Sequence, residues 1–293
     1  MARGHASHLP PVDVHLETPS VARVYDYYLG GSNNWAIDRE FGRRVIEQYP
    51  LVRHLAFIHR QFLARAVRHL AARGVDQFLD VGSGVPGDGS THRVADAFHL
   101  ERGRRPASRI IYVDNDPVAV GHGEMLLRDS GDPRRHAILE GDLRDPEHLW
   151  RQVADTELFD LTKPVALLLI AVLHLQQSDI DGNEIGPECA QQLRSGLPEG
   201  SYVVVSHVTD DGVSPEVSTA LAGLKAIYDA CGSGNVTWRS RKDISAILEG
   251  LEIVEPGWIS AAEWHPEDTA PNTSRLEIPS SSDQAVWVGV GKY

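Results

Sequence analysis

Between Pro19 and Arg73 apolar residues recur at helical spacing, interrupted once at Gly30-Gly31-Ser32-Asn33-Asn34. Ser20 stands where a helix cap belongs. Leu55, Ile58, Phe62, Ala66 and Leu70 form one stripe, and Arg53, Arg60, Arg65, Arg68 and Arg73 fall among them as an expected solvated face. After Gly74 short apolar runs alternate with helical stretches. The pattern predicts strands at 77–81, 109–113, 137–139, 165–171, 202–206, 251–254 and 285–290. Helices are expected at 91–99, 117–128, 146–153, 184–194, 215–230 and 240–248. Such alternation predicts an α/β fold, a doubly wound and mostly parallel sheet with helices on both faces. No crossover helix precedes the last run, so that strand is expected to be antiparallel.

Three regions follow: a mobile tail over 1–17, a helical segment over 18–73 that acts as a lid, and one α/β domain over 74–293. Residues 265–283, rich in Pro, Ser, Asp and Glu, read as a long loop. With 28 basic against 41 acidic residues the net charge is −13, which repels phosphate backbones and argues against nucleic acid or anionic membrane as partner. Two cysteines, Cys189 and Cys231, are too few for a disulfide framework or a thiolate metal site, and both are expected to be small buried residues. The 14 histidines show no His-x-x-x-His or His-Glu-x-x-His spacing, so no metal is expected and scattered surface histidines are. The start of the chain has no apolar signal core, and the longest apolar run falls far short of the roughly 20 residues that span a bilayer. A soluble cytoplasmic protein is the expectation.

The chemistry concentrates where the first strand ends, in Asp80-Val81-Gly82-Ser83-Gly84-Val85-Pro86-Gly87. A Gly-x-Gly turn between strand and helix lets the backbone approach a ligand, and the following helix offers unpaired N–H groups. The second strand ends in Asp114-Asn115, where a carboxylate can accept bonds from both ribose hydroxyls. The third leads into Asp142-Leu143, beside the place of an adenine amino group. Asp114 follows Gly82 by 32 residues, against about 20 in dinucleotide-binding folds, and the Arg-rich insertion at 101–108 accounts for the excess. Spacing therefore does not choose the ligand. Asp80 does: a carboxylate two residues before the first glycine suits an ammonium group and repels a pyrophosphate, which favours S-adenosylmethionine over a nicotinamide dinucleotide.

The order Asp80–Gly84, Asp114, Asp142 and a final antiparallel strand resembles the class I S-adenosylmethionine-dependent methyltransferases. More narrowly, the stretch from Pro19 to Gly31, Asp38-Arg39, Tyr112–Pro117, Leu143–Pro146, Arg239-Ser240-Arg241 and Val254–Gly257 resemble a bacterial family of predicted methyltransferases long catalogued as a domain of unknown function. The resemblance implies a Rossmann-like sheet of seven strands with the last antiparallel, and S-adenosyl-L-methionine as cofactor. It supplies no methyl acceptor. Ser32 stands where the family commonly has lysine.

Expected cofactor contacts are Asp80, Gly82, Ser83, Gly84, Asp114, Asn115, Asp142, Leu143 and Ala171, with Tyr25, Gly30 and Gly31 closing from the lid. A base is needed only for a protonated acceptor. His174, after the fourth strand, is the best placed, with His207 after the fifth behind it. The partner expected is a small-molecule hydroxyl or amine. Alternatives are a catalytically silent S-adenosylmethionine-binding protein and an NAD-dependent oxidoreductase. Oligomeric state is not legible.

Overall fold

The computed structural model describes residues 17–87, 89–231, 235–270 and 281–293. The tail over 1–16 and much of the expected loop, 271–280, lie outside the described residues. Three helices come first: α1 (Val21–Tyr28), α2 (Ala36–Gln48) and α3 (Leu51–Ala72). There follow β1 (Gln77–Val81), α4 (Thr91–Leu100), β2 (Arg109–Asp114), α5 (Pro117–Ser130), β3 (His136–Glu140) and α6 (Pro146–Asp155). The second half runs β4 (Ala166–Ile170), α7 (Gly186–Ser195), β5 (Tyr202–Val208), α8 (Pro215–Cys231), α9 (Arg241–Ala246), β6 (Glu252–Ile253), β7 (Ile259–Ser260) and β8 (Val286–Lys292).

The sheet has the order β3-β2-β1-β4-β5-β8-β6, with β1 to β5 parallel and β8 antiparallel to β5, as the periodicity predicts. Those seven strands match the seven expected runs. The eighth, β7, is a two-residue addition on β8, too short to leave a periodic signature. Alternate residues feed two cores. Phe78, Ile110, Leu168 and Val204 face the layer made by α1–α4 and α8. Leu79, Ile111, Leu167 and Val205 face α6, α7 and α9. Helices α1–α3 thus share a core with one face of the sheet.

Two sequence expectations fail. Arg65 and Arg68 are buried rather than solvated. The first donates to the backbone carbonyls of Trp264 and Ala261, and the second makes a fork to Glu101. Burial pushes the Arg65 guanidinium down to about 10. Nor are the histidines all on the surface: among the described residues His59, His69, His92, His136 and His207 are buried. Cys189 is buried and Cys231 partly so. Among the described residues no helix is long and apolar enough to cross a membrane.

Candidate functional site

The chain enters the sheet at β1, builds outward to β3, then crosses to β4 on the other side of β1. At that switch point the strand ends diverge and leave a crevice. Here it is a cavity of about 700 Å³, floored by the carboxyl ends of β1, β2 and β4 and roofed by Thr18–Arg23, Tyr25 and Tyr28.

One end is built largely from backbone. Gly82 has φ +70° and sits so close to β4's exit that a Cβ would stand 2.4 Å from a Val172 methyl. Gly84, at φ +65°, has open space where a Cβ would go, and its N–H donates to Asp114 Oδ2 at 2.7 Å. The Asp116 N–H takes Oδ1 at 2.9 Å. Asp114 is 7% exposed, and burial pushes its carboxyl up to about 6 despite the two N–H donors, with the Asp116 and Asp80 charges adding to the rise. Asp80, also buried, accepts the Thr91 hydroxyl at 2.6 Å, and burial raises its pKa. Ser83 Oγ is buried without a hydrogen-bond partner among the described residues.

The roof is latched to this end. Ser20 caps α1, and its hydroxyl bonds Asp116. Arg23, 1% exposed, pairs with Asp38 at 2.7 Å, lies 3.7 Å from Asp116 and stacks on Trp35 at 4.0 Å. Asp38 also receives the backbone N–H groups of Ser20 and Trp35. The Pro19–Arg23 and Asp38 motifs are therefore one buried ion-pair network that holds the N-terminal segment against the β2 turn.

The other end is built from side chains. Leu55, Leu224, Val208 and Trp238 line it, with Tyr28 and Tyr228 sharing a hydroxyl bond of 2.8 Å. His59 and His174 line it too, their rings 5.5 Å apart. Burial, and then the Arg239 charge, pushes His174 down to about 4, so its imidazole is neutral at pH 7. Its Nδ1 is buried without a partner among the described residues. Ala171, the residue after β4 at φ +55°, turns the chain toward His174 and donates its N–H to Ser206 Oγ at 3.0 Å. A non-glycine residue in that region is uncommon and marks a constrained site.

Of the expected residues, Asp80, Gly82, Ser83, Gly84, Asp114, Asn115, Leu143, Ala171, Tyr25 and His174 all line the cavity. Asp142, Gly30 and Gly31 do not. The Asp142 carboxylate is half-buried, which raises its pKa, but Arg144 at 2.6 Å more than offsets this and holds it below the usual range. Gly30 and Gly31 form the C-terminal turn of α1. A Cβ on Gly31 would fall 2.0 Å from the Asp26 carboxylate, which receives Asn33 N–H and Asn34 Nδ2. Ser32 is exposed on the same turn. His207 is fully buried outside the lining; it gives Nδ1–H to the Val208 carbonyl at 2.6 Å and accepts from Arg239 on Nε2 at 2.7 Å. Both nitrogens being committed, it is no base.

His59 was not legible as a site residue. It sits in the stripe Leu55–His59–Leu63, and one polar residue in an otherwise apolar i, i+4 row was its only signal. Elsewhere His69, His265 and Asp268 each bring a potential ligand atom within 4.8 Å of the others, from α3 and the loop after β7. His69 Nδ1, however, bonds Asp268, and the His265 nitrogens bond Glu267 and the Glu255 carbonyl, while His69 Nε2 is buried without a partner among the described residues.

Strand order, the Gly-x-Gly turn and the buried acid ending β2 define the class: a Rossmann-like α/β fold with a ligand crevice at its switch point. The chain belongs to the S-adenosyl methyltransferase family, whose model matches residues 7–293. A predicted methyltransferase from Thermobifida fusca is 30% identical, with 98% of this chain and 99% of that one covered and a TM-score of 0.79. A DUF574 family protein from Streptomyces avermitilis is also 30% identical, over 94% of this chain and 98% of that one, again with a TM-score of 0.79. No curated protein matches. The family decides between the two ligands the sequence left open: the cofactor is S-adenosylmethionine.

Proposed function

We propose that the protein methylates a hydroxyl or amine of a small molecule. The observation that carries this reading is the two-ended cavity, with a backbone-built polar end and an apolar end holding two unprotonated histidines. The polar end fits the family's cofactor. Asp114 would accept the ribose hydroxyls, Asp80 the ammonium group, and Gly82–Gly84 give the main chain close approach. Bound there, the cofactor supplies a methyl group activated on a sulfonium sulfur. The chain's own work is to hold the acceptor in line, exclude water and receive a proton.

His174 is the base in this reading: neutral at pH 7, and free at Nδ1 to take the proton that an acceptor hydroxyl or ammonium loses. The N-terminal segment acts as the lid, since Thr18–Arg23 roof the cavity and are held by Asp116, two residues beyond the ribose acid. Hydrogen exchange through 18–37 should slow when S-adenosylhomocysteine is added.

Methyl transfer from radiolabelled cofactor, run in parallel on metabolite extract, total RNA and DNA, tests the acceptor. Label is expected in the metabolites. Label confined to nucleic acid overturns the reading, and label in none of the fractions favours a silent cofactor-binding protein.

A further inference from the structure

Ser206 lies near the end of β5, and its hydroxyl touches two groups. It receives the Ala171 N–H at 3.0 Å and stands 2.8 Å from His59 Nδ1. A serine hydroxyl has one proton to give. Ala171 N–H occupies one of the two lone pairs, and among the described residues the hydroxyl meets no acceptor other than His59 Nδ1, so we infer that the serine is the donor of this bond. His59 is neutral, because burial and then the neighbouring His174 and His207 push its pKa well down. A neutral imidazole that accepts at Nδ1 carries its proton on Nε2. That Nε2 is buried in a residue 1% exposed and has no partner among the described residues. In that tautomer the Nε2–H is left unsatisfied in a ring that lines the cavity.

His174, 5.5 Å away ring to ring, offers an unpartnered Nδ1. The two imidazoles have opposite roles, one a donor by constraint and the other available to accept. A donor placed on the attacking oxygen would tie up the lone pair that reacts. The same donor on a neighbouring oxygen leaves that pair free and fixes the ring's orientation.

We propose that the acceptor is a neutral aromatic molecule with a second oxygen beside the hydroxyl to be methylated, as in a 1,2-dihydroxybenzene or an ortho-hydroxy carbonyl, and that His59 Nε2–H binds that second oxygen. The proposal rests on the small-molecule methyltransferase reading and narrows it to a substrate class. His59 is a binding residue here; its bond moves no proton and changes no covalent bond. The flat walls of Tyr28, Tyr228 and Trp238 suit the ring of such a molecule.

Two measurements test it. Nitrogen-15 spectra of histidine-labelled protein should show His59 as the Nε2–H tautomer, with Ser206→Ala releasing that preference; an Nδ1–H tautomer in the unaltered protein overturns the proposal. Calorimetric titration of protein loaded with S-adenosylhomocysteine should show catechol binding about tenfold more tightly than phenol. His59→Phe should remove that difference, and His59→Gln, which keeps an N–H donor, should retain part of it. Equal affinity for catechol and phenol, or binding of neither, overturns the substrate class. Failure of S-adenosylhomocysteine itself to bind instead sinks the broader reading of the cavity.

Discussion

The two ends of the cavity are made in different ways. At the proposed cofactor end the groups are backbone N–H donors and acids at or just beyond a strand end: Gly82, Gly84, Asp114. At the acceptor end the lining comes from side chains on α1, α3, α8 and the turn after β4, far apart in sequence. A site built from main chain at a switch point tolerates little variation in its turn, because the backbone must stay where the ligand is. A site built from side chains on surrounding helices can change its lining without moving the sheet. On the proposed reading the first end would hold the cofactor and the second would select the acceptor.

If that division is right, variants at the two ends should separate cleanly. The largest effect belongs to His174→Phe, which should lower methyl transfer to a hydroxyl acceptor by about 10²–10⁴-fold. Cofactor affinity, measured by calorimetry, should stay unchanged. A parallel loss of cofactor affinity would merge the two ends.

Gly82→Ala should destabilise the fold by about 2–5 kcal/mol in chemical denaturation, joining the cost of a left-handed residue to that of a methyl pressed on Val172. Gly84→Ala has the first cost and not the second, so it should lose only about 1–2 kcal/mol. Equal losses would mean that the β1–β4 contact does not restrain the turn.

Of similar size is the pH effect at Asp114. Its folded pKa, about 6, lies above the unfolded value near 4, so the folded chain binds the extra proton between those limits. Stability from this group is therefore greatest below pH 4 and falls by about 3 kcal/mol as pH rises through 6. Ribose hydroxyls that donate to the carboxylate favour its ionised form. Cofactor binding near pH 6 should then release a fraction of a proton, seen as a calorimetric enthalpy that varies with the buffer's ionisation enthalpy. Proton uptake would reverse the assignment.

What could be read from the chain follows the same division. The seven principal strands, their parallel order and Asp80–Gly84 were legible because each is a contiguous pattern whose period or turn chemistry is local. Ser20 as a cap was legible for the same reason. Arg65 and Arg68 were misread because their partners, Trp264, Ala261 and Glu101, lie roughly 30 to 200 residues away and satisfy charges that local periodicity assigns to solvent. Gly30-Gly31 reads as a break in the helical pattern, yet Gly31 has a packing reason, the Asp26 carboxylate, that only the folded turn displays. His59 was hidden because its meaning depends on Ser206, which is 147 residues away.

Asp114→Ala is the most direct test of where the cofactor binds. Titration of S-adenosylhomocysteine into Asp114→Ala should show affinity lower by about 2–3 kcal/mol, since two charge-assisted bonds to the ribose are lost. In the same experiment His174→Phe should match the unaltered protein. Unchanged affinity in a folded Asp114→Ala protein would contradict the account, because the cofactor would then be held somewhere other than the polar end of this cavity.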